Sequence, residues 1–204
     1  MKKNIILLPG ASGNILFWNP LIKLLPNEYN KQVIAYPGFG EIPENQDIHH
    51  FNDLQNYVLN QIQTESVIIA QSMGGIFAVA AAIQKSSLIK ALVLIATSGG
   101  MDLTPFKVKD WRCEYQHQYP TYPQWFMQTK VNYDVYFKRI DIPILLIWGD
   151  DDPISPIAVG QYLKACFPNA ELCIVKGGKH DLAQEYSEEI ADDIAHFLAR
   201  CISV

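Results

Sequence analysis

The side chains able to do chemistry stand at separate points along the chain. Ser72 sits in "SVIIAQSMGG" (66–75), three acids in "IWGDDDPISP" (147–156), and His180 in "VKGGKHD" (175–181). A serine hydroxyl becomes a useful nucleophile when a neighbouring base takes its proton. An imidazole does so best when a carboxylate holds its other ring nitrogen. A serine, a histidine and an aspartate that meet in space are therefore equipment for acyl transfer.

Apolar residues lead into Gln71-Ser72-Met73, and Gly74 and Gly75 follow. That pattern reads as a sharp strand-to-helix turn, which lifts the serine above the sheet and puts the Met73 N–H at a helix N-terminus. The usual Gly-x-Ser-x-Gly form of such an elbow is altered, because Ala70 replaces its first glycine. Among the histidines, His49 and His50 lie in a polar loop, His117 in an aromatic stretch and His196 inside the last helix. His180, on a glycine-containing loop after the last strand, is the candidate base. Three adjacent carboxylates cannot all turn inward, so two of Asp150, Asp151 and Asp152 are expected to be surface charge. Asp152 is the candidate third member. Pro153 biases it to an extended backbone, and Pro156 suits the first turn of a helix that Ser155 would cap. Negative charge on a reacting carbonyl oxygen needs N–H donors. Met73 offers one, and the loop "LLPGASGN" (7–14) offers a second at Ala11, since Pro9 has no N–H.

Elements must carry these loops to one place. Short apolar runs at 4–8, 32–35, 66–70, 91–96, 144–148 and 171–175 suit strands buried on both faces of a parallel sheet. Helical patterns near 16–25, 51–63, 73–85, 156–167 and 187–201 alternate with them. The third is read as amphipathic, through Ile76, Val79, Ala80 and Ile83. The last is read as capped by Ser187, with Ile190, Ile194, Phe197, Leu198 and Cys201 along one stripe. The expectation is one domain over 1–204: a three-layer α/β/α fold with an open, mainly parallel sheet of about six strands. The loops bearing Ala11, Ser72, Asp152 and His180 all leave the carboxyl ends of these strands, where open α/β sheets bind ligands. Residues 98–141 break the alternation and hold ten of the 23 aromatics. A connection that long reads as a short helical lid, with Trp111, Tyr115, Trp125 and Phe126 as the pocket wall.

Composition bounds the rest. At 49% hydrophobic and 18% charged residues the chain is of globular type. A net charge of −5 with no basic run argues against nucleic acid as partner. The four cysteines show no metal-ligand spacing, and no phosphate loop is present, so neither metal nor cofactor is expected. Free thiols of this kind fit a reducing cytoplasm. The start, "MKKNIILLPGAS", imitates a signal peptide, but its apolar run ends at Pro9; no membrane span is read anywhere.

With those residues in place, the chain resembles the α/β-hydrolase fold superfamily nearly end to end. The order Ser72, Asp152, His180 matches that family's nucleophile, acid and base. "PGFG" (37–40) resembles its Pro-Gly-x-Gly turn, "GDDDP" (149–153) its Gly-x-x-Asp-Pro acid loop, and "PGA" (9–11) stands where it commonly has His-Gly-x. Departures are Ala70, Pro9 in place of the histidine, and Ala35 where an aspartate is frequent. The sequence also opens directly on the first parallel strand, where many members carry an antiparallel hairpin. The resemblance implies a serine hydrolase acting on a small to medium carboxylic ester or thioester through an acyl-enzyme. Alternatives on the same fold are an esterase of carrier-bound acyl methyl esters, with Lys107, Lys109 and Arg112 as acyl-carrier contacts, an aminopeptidase, a serine-triad lyase, and a ligand receptor with vestigial hydrolysis.

Overall fold

The computed structural model describes residues 3–106 and 108–201. Among them, strands β1 (Lys3–Leu8), β2 (Tyr29–Val33), β3 (Ser66–Gln71), β4 (Ile89–Ile95), β5 (Ile144–Gly149) and β6 (Ala170–Val175) form one sheet. Its order is β2-β1-β3-β4-β5-β6, and every neighbouring pair is parallel. The helices that cover the sheet are α1 (Asn19–Leu24), α2 (Phe51–Gln61), α3 (Met73–Gln84), α7 (Ile157–Cys166) and α9 (Ser187–Cys201). Short helices α4 (Arg112–Gln118), α5 (Trp125–Gln128) and α6 (Asp134–Phe137) lie in the 98–141 segment, and α8 (Leu182–Glu185) precedes α9.

Strand side chains alternate between faces, so one apolar run feeds two cores. Ile6, Leu8, Ile68, Ala70, Leu92, Leu94, Leu146 and Trp148 pack toward α2, α3 and α7 with Phe51, Leu54, Phe77, Val159 and Leu163. Ile5, Leu7, Val67, Ile69, Val93, Ile95 and Ile147 pack the opposite way, against Leu21 of α1, Leu182 of α8 and the Ile190, Ile194, Phe197, Leu198 stripe of α9. Each Ile, Leu, Val or Phe side chain among these contributes about 1.5–3 kcal/mol by leaving water. The two cores fix β3 in the sheet interior and hold its carboxyl end rigid.

Four local expectations need correction. The second strand is Tyr29–Val33, not 32–35, because β2 is an edge strand and alternates polar Asn30 and Gln32 outward instead of running apolar. Helix α3 is buried almost all round, since it is enclosed by the sheet on one side and by α2 and neighbouring aromatics on the other. Pro156, not Ser155, caps α7; Ser155 instead accepts from the Trp148 indole N–H at Oγ (3.2 Å) and at its carbonyl (3.0 Å). Ser187 is the first residue of α9 and not a cap outside it.

Candidate active site

The elbow is a backbone feature before it is a chemical one. Ser72 joins β3 to α3 with φ 54° and ψ −122°, a conformation that costs a non-glycine residue about 1–3 kcal/mol. The surroundings hold it there. The Ser72 N–H donates to the Ile95 carbonyl at 3.0 Å, and the Thr97 hydroxyl donates to the Ser72 carbonyl at 2.6 Å. Thr97 Oγ1 also accepts from the Gly99 N–H at 3.0 Å. A Cβ at position 74 would run into the Leu8 carbonyl, and one at 75 into the Thr97 side chain. Both glycines thus allow α3 to start tight against β1 and β4. Ala70 is fully buried in β3, beneath the elbow, and its methyl group meets no such obstacle.

Three side chains converge over this turn. His180 Nε2 lies 3.1 Å from Ser72 Oγ, and His180 Nδ1 lies 2.8 Å from Asp152 Oδ2. A neutral imidazole carries one N–H. With that proton on Nδ1, facing a carboxylate that can only accept, Nε2 is left with a lone pair toward the serine hydroxyl. The Asp152 side chain is wholly buried, and its other oxygen, Oδ1, accepts from the N–H groups of Ile154 (2.8 Å) and Ser155 (3.0 Å). Buried carboxylates require such donors. Asp150 and Asp151 face water. Asp150 is nevertheless more than surface charge, a correction to the sequence reading: its Oδ1 accepts from the Gly177 N–H at 2.6 Å and ties the acid loop to the histidine loop.

Gln71 is a residue the sequence reading passed over. It is buried, its amide N–H donates to the His180 carbonyl at 2.9 Å, and its Oε1 accepts from the Ala183 N–H at 3.1 Å. The available signal was a polar residue closing an otherwise apolar strand beside the serine. Thr97, just past the end of β4, was missed for want of any local signal.

A cleft of about 1660 Å³ opens above these groups, lined by Ala11, Ser72, Met73 and His180 and by Trp111, Tyr115 and Phe126 of the 98–141 segment. The Met73 N–H begins α3, so it lies in the turn that lacks intrahelical acceptors. Trp125 corrects the expected pocket wall. Its ring packs against Phe39 (5.9 Å between centroids) and Phe51 (6.5 Å) and anchors the segment from behind. Of the expected carrier contacts, Lys109 pairs with Glu114 at 3.0 Å and Arg112 with Asp110 at 3.3 Å, while Lys107 lies outside the described residues. Among the described residues no group of three or more His, Cys, Asp or Glu side chains is arranged to hold a metal ion, and no helix is long and apolar enough to cross a membrane.

Comparison with known proteins agrees with this architecture. The alpha/beta hydrolase fold family matches residues 3–134, and a family described as TAP-like protein matches 111–201. An uncharacterized hydrolase of Bacillus subtilis is 23% identical across 97% of this chain and 90% of its own length. A pimeloyl-[acyl-carrier protein] methyl ester esterase of Pseudoalteromonas atlantica is 36% identical over 98 residues, 47% of this chain and 37% of that one. The crystal structure of a putative lipase from Acinetobacter baumannii superposes with a TM-score of 0.82 at 20% identity, covering 99% of this chain and 85% of that one.

Proposed function

Since the chain belongs to the alpha/beta hydrolase fold family, we propose that it is a serine hydrolase that cleaves a carboxylic ester or thioester through an acyl-enzyme. The observation that carries this reading is the hydrogen-bonded line Asp152–His180–Ser72 on the floor of an open cleft. Ser72 Oγ attacks the carbonyl carbon as its proton passes to His180 Nε2. The imidazolium so formed is stabilised by the Asp152 carboxylate at Nδ1. The carbonyl oxygen gains the charge and is received by the N–H groups of Met73 and Ala11. Collapse of the tetrahedral adduct breaks the bond to the alcohol or thiol, which takes the proton from Nε2. Water then enters, gives its proton to Nε2 and releases the acid, and Ser72 recovers its proton.

Replacing Ser72 by Ala tests this. The variant is expected to keep its fold and lose about 10⁴–10⁶ in kcat on p-nitrophenyl esters. A fluorophosphonate should label wild-type Ser72 and nothing in the variant. Turnover surviving in Ser72→Ala would end the proposal.

A second reading concerns what bears the acyl group. The similarity to a carrier-protein methyl ester esterase favours a carrier-borne methyl ester, and Lys109 and Arg112 stand on the cleft wall. Their present acidic partners would have to yield to carboxylates of the carrier. Comparing kcat/KM for one acyl methyl ester, free and carrier-borne, decides it: equal values reject the carrier.

A further inference from the structure

The loop after β1 is held in an unusual way. Four consecutive carbonyls, those of residues 9 to 12, are each engaged. The Tyr36 hydroxyl donates to Pro9 O at 3.0 Å, and the Gly13 N–H donates to Gly10 O at 3.0 Å. The Tyr115 hydroxyl donates to Ala11 O at 2.8 Å, and the Tyr122 hydroxyl to Ser12 O at 3.1 Å. A peptide group is planar and trans, so fixing its carbonyl fixes the N–H on its opposite side. The plane that carries the Ala11 N–H is that of Gly10 O, and the planes before and after it are held by Tyr36 and Tyr115. Among the described residues no acceptor takes the Ala11 N–H itself. The loop lies directly against the nucleophile, since a Cβ on Gly10 would sit 3.3 Å from Ser72 Cβ.

The three tyrosines have different origins. Tyr36 is fully buried in the body of the domain. Tyr115 and Tyr122 come from the 98–141 segment. Their rings are placed by an aromatic cluster: Tyr122 stacks on Tyr119 (4.6 Å), Tyr115 packs on Phe126 (5.5 Å), and Phe126 in turn meets Phe39 (6.1 Å). Burial pushes the Tyr115 hydroxyl well above its ordinary range, which keeps it a proton donor into alkaline solution.

We propose that Tyr115 and Tyr122 are positioning residues that couple the aromatic segment to the oxyanion hole, aligning the Ala11 N–H with charge that develops on the substrate oxygen. This rests on the serine hydrolase reading above. The segment then contributes to the chemical step as well as to the walls of the cleft, and its hydroxyls do so through the backbone carbonyls they hold. Removing them should weaken transition-state binding and spare ground-state binding.

Tyr115→Phe, Tyr122→Phe and the double variant keep the rings and delete only the hydroxyls. Tyr136→Phe, an exposed residue of the same segment, is the control. Five quantities are measured: kcat and KM on p-nitrophenyl butyrate, inhibition by 1-butaneboronic acid, inhibition by butyramide, and Tm. The boronic acid becomes tetrahedral on Ser72 and fills the oxyanion position, whereas butyramide stays planar. Losing an oxyanion donor outright costs about 10²–10³ in kcat, so misaligning one should cost about 10–50-fold in the double variant with KM within about twofold. Boronate affinity should fall in parallel, butyramide affinity should hold, and Tyr136→Phe should match wild type. If the double variant melts below the assay temperature, the single variants carry the same comparison, each losing about fivefold. Wild-type kcat and boronate affinity in the folded variants would overturn the coupling and leave the hydrolase reading intact. An inactive wild type that no fluorophosphonate labels would overturn both.

Discussion

Gln71 and His180 are joined directly: the Gln71 amide donates to the His180 carbonyl at 2.9 Å, and the same side chain accepts from the Ala183 N–H three residues further on at 3.1 Å. The residue before the candidate nucleophile thereby holds the chain at the candidate base and at the start of α8 just after it. Because β3 is locked in the sheet interior, this grip transmits its rigidity to the imidazole. Gln71→Leu would leave the Ala183 N–H without a partner, at about 1–3 kcal/mol, while the His180 carbonyl would keep the Leu182 N–H at 3.0 Å. We expect a lower denaturation midpoint and a kcat reduced by about tenfold, through misplacement of the base. Urea melts and ester assays on the same preparation check this. Unchanged kcat in a destabilised Gln71→Leu protein would make the contact purely structural.

The strained backbone at Ser72 gives a prediction of sign. In ordinary backbone, glycine is less stable than alanine by about 0.5–1 kcal/mol. At φ 54° the order should reverse, because glycine adopts that region freely and alanine does not. Ser72→Gly should therefore unfold at higher denaturant than Ser72→Ala, by about 1 kcal/mol, with both inactive. Alanine proving the more stable would show that the elbow stores no strain.

Ala70 should be tolerated for what it is, a buried methyl group beneath the turn. Ala70→Gly removes it from a core position with no exposure to solvent. The expected result is a stability loss of about 1 kcal/mol with kcat within about threefold of wild type. A collapse of activity at unchanged stability would mean that the methyl group sets the elbow geometry.

The cysteines should separate by reactivity. Burial first, and Asp193 second, push the Cys173 thiol from its ordinary 9.0 up to about 11. The thiolate is the reactive form, so Cys173 should resist iodoacetamide at pH 8, while exposed Cys113 is alkylated first. The folded state holds the Cys173 proton more tightly than the unfolded chain does. Its contribution to stability is thus complete below about pH 9 and lost as the pH rises through about 11. Peptide mapping after timed alkylation at pH 8 and pH 10.5 reads both residues. Cys173 reacting ahead of Cys113 at pH 8 would contradict the assignment.

Much of this molecule is encoded locally. Apolar runs separated by helical periods specify a parallel, two-sided sheet, because a strand covered on both faces has no polar side to show. Ser-x-Gly-Gly after such a run specifies a sharp turn, since only small residues let strand and helix approach so closely. Loops after parallel strands fall at one end of the sheet, which brings Ser72, Asp152, His180 and Ala11 to the same end. Edge strand β2 was displaced by the same logic: lacking a neighbour on one side, it need not be apolar.

What the sequence left open depends on which distant groups become neighbours. Burial of the Asp152 side chain beside exposed Asp150 and Asp151, the Gln71 grip on the His180 loop, and the hydroxyls of Tyr115 and Tyr122 on the Ala11 loop are contacts across sheet order. Trp111 faces the cleft and Trp125 the core, although both were simply aromatic residues of one irregular segment. Periodicity reports how a residue sits on its own element. The partner of a hydroxyl or amide is decided by packing between elements far apart in the chain, and only the tertiary structure supplies that.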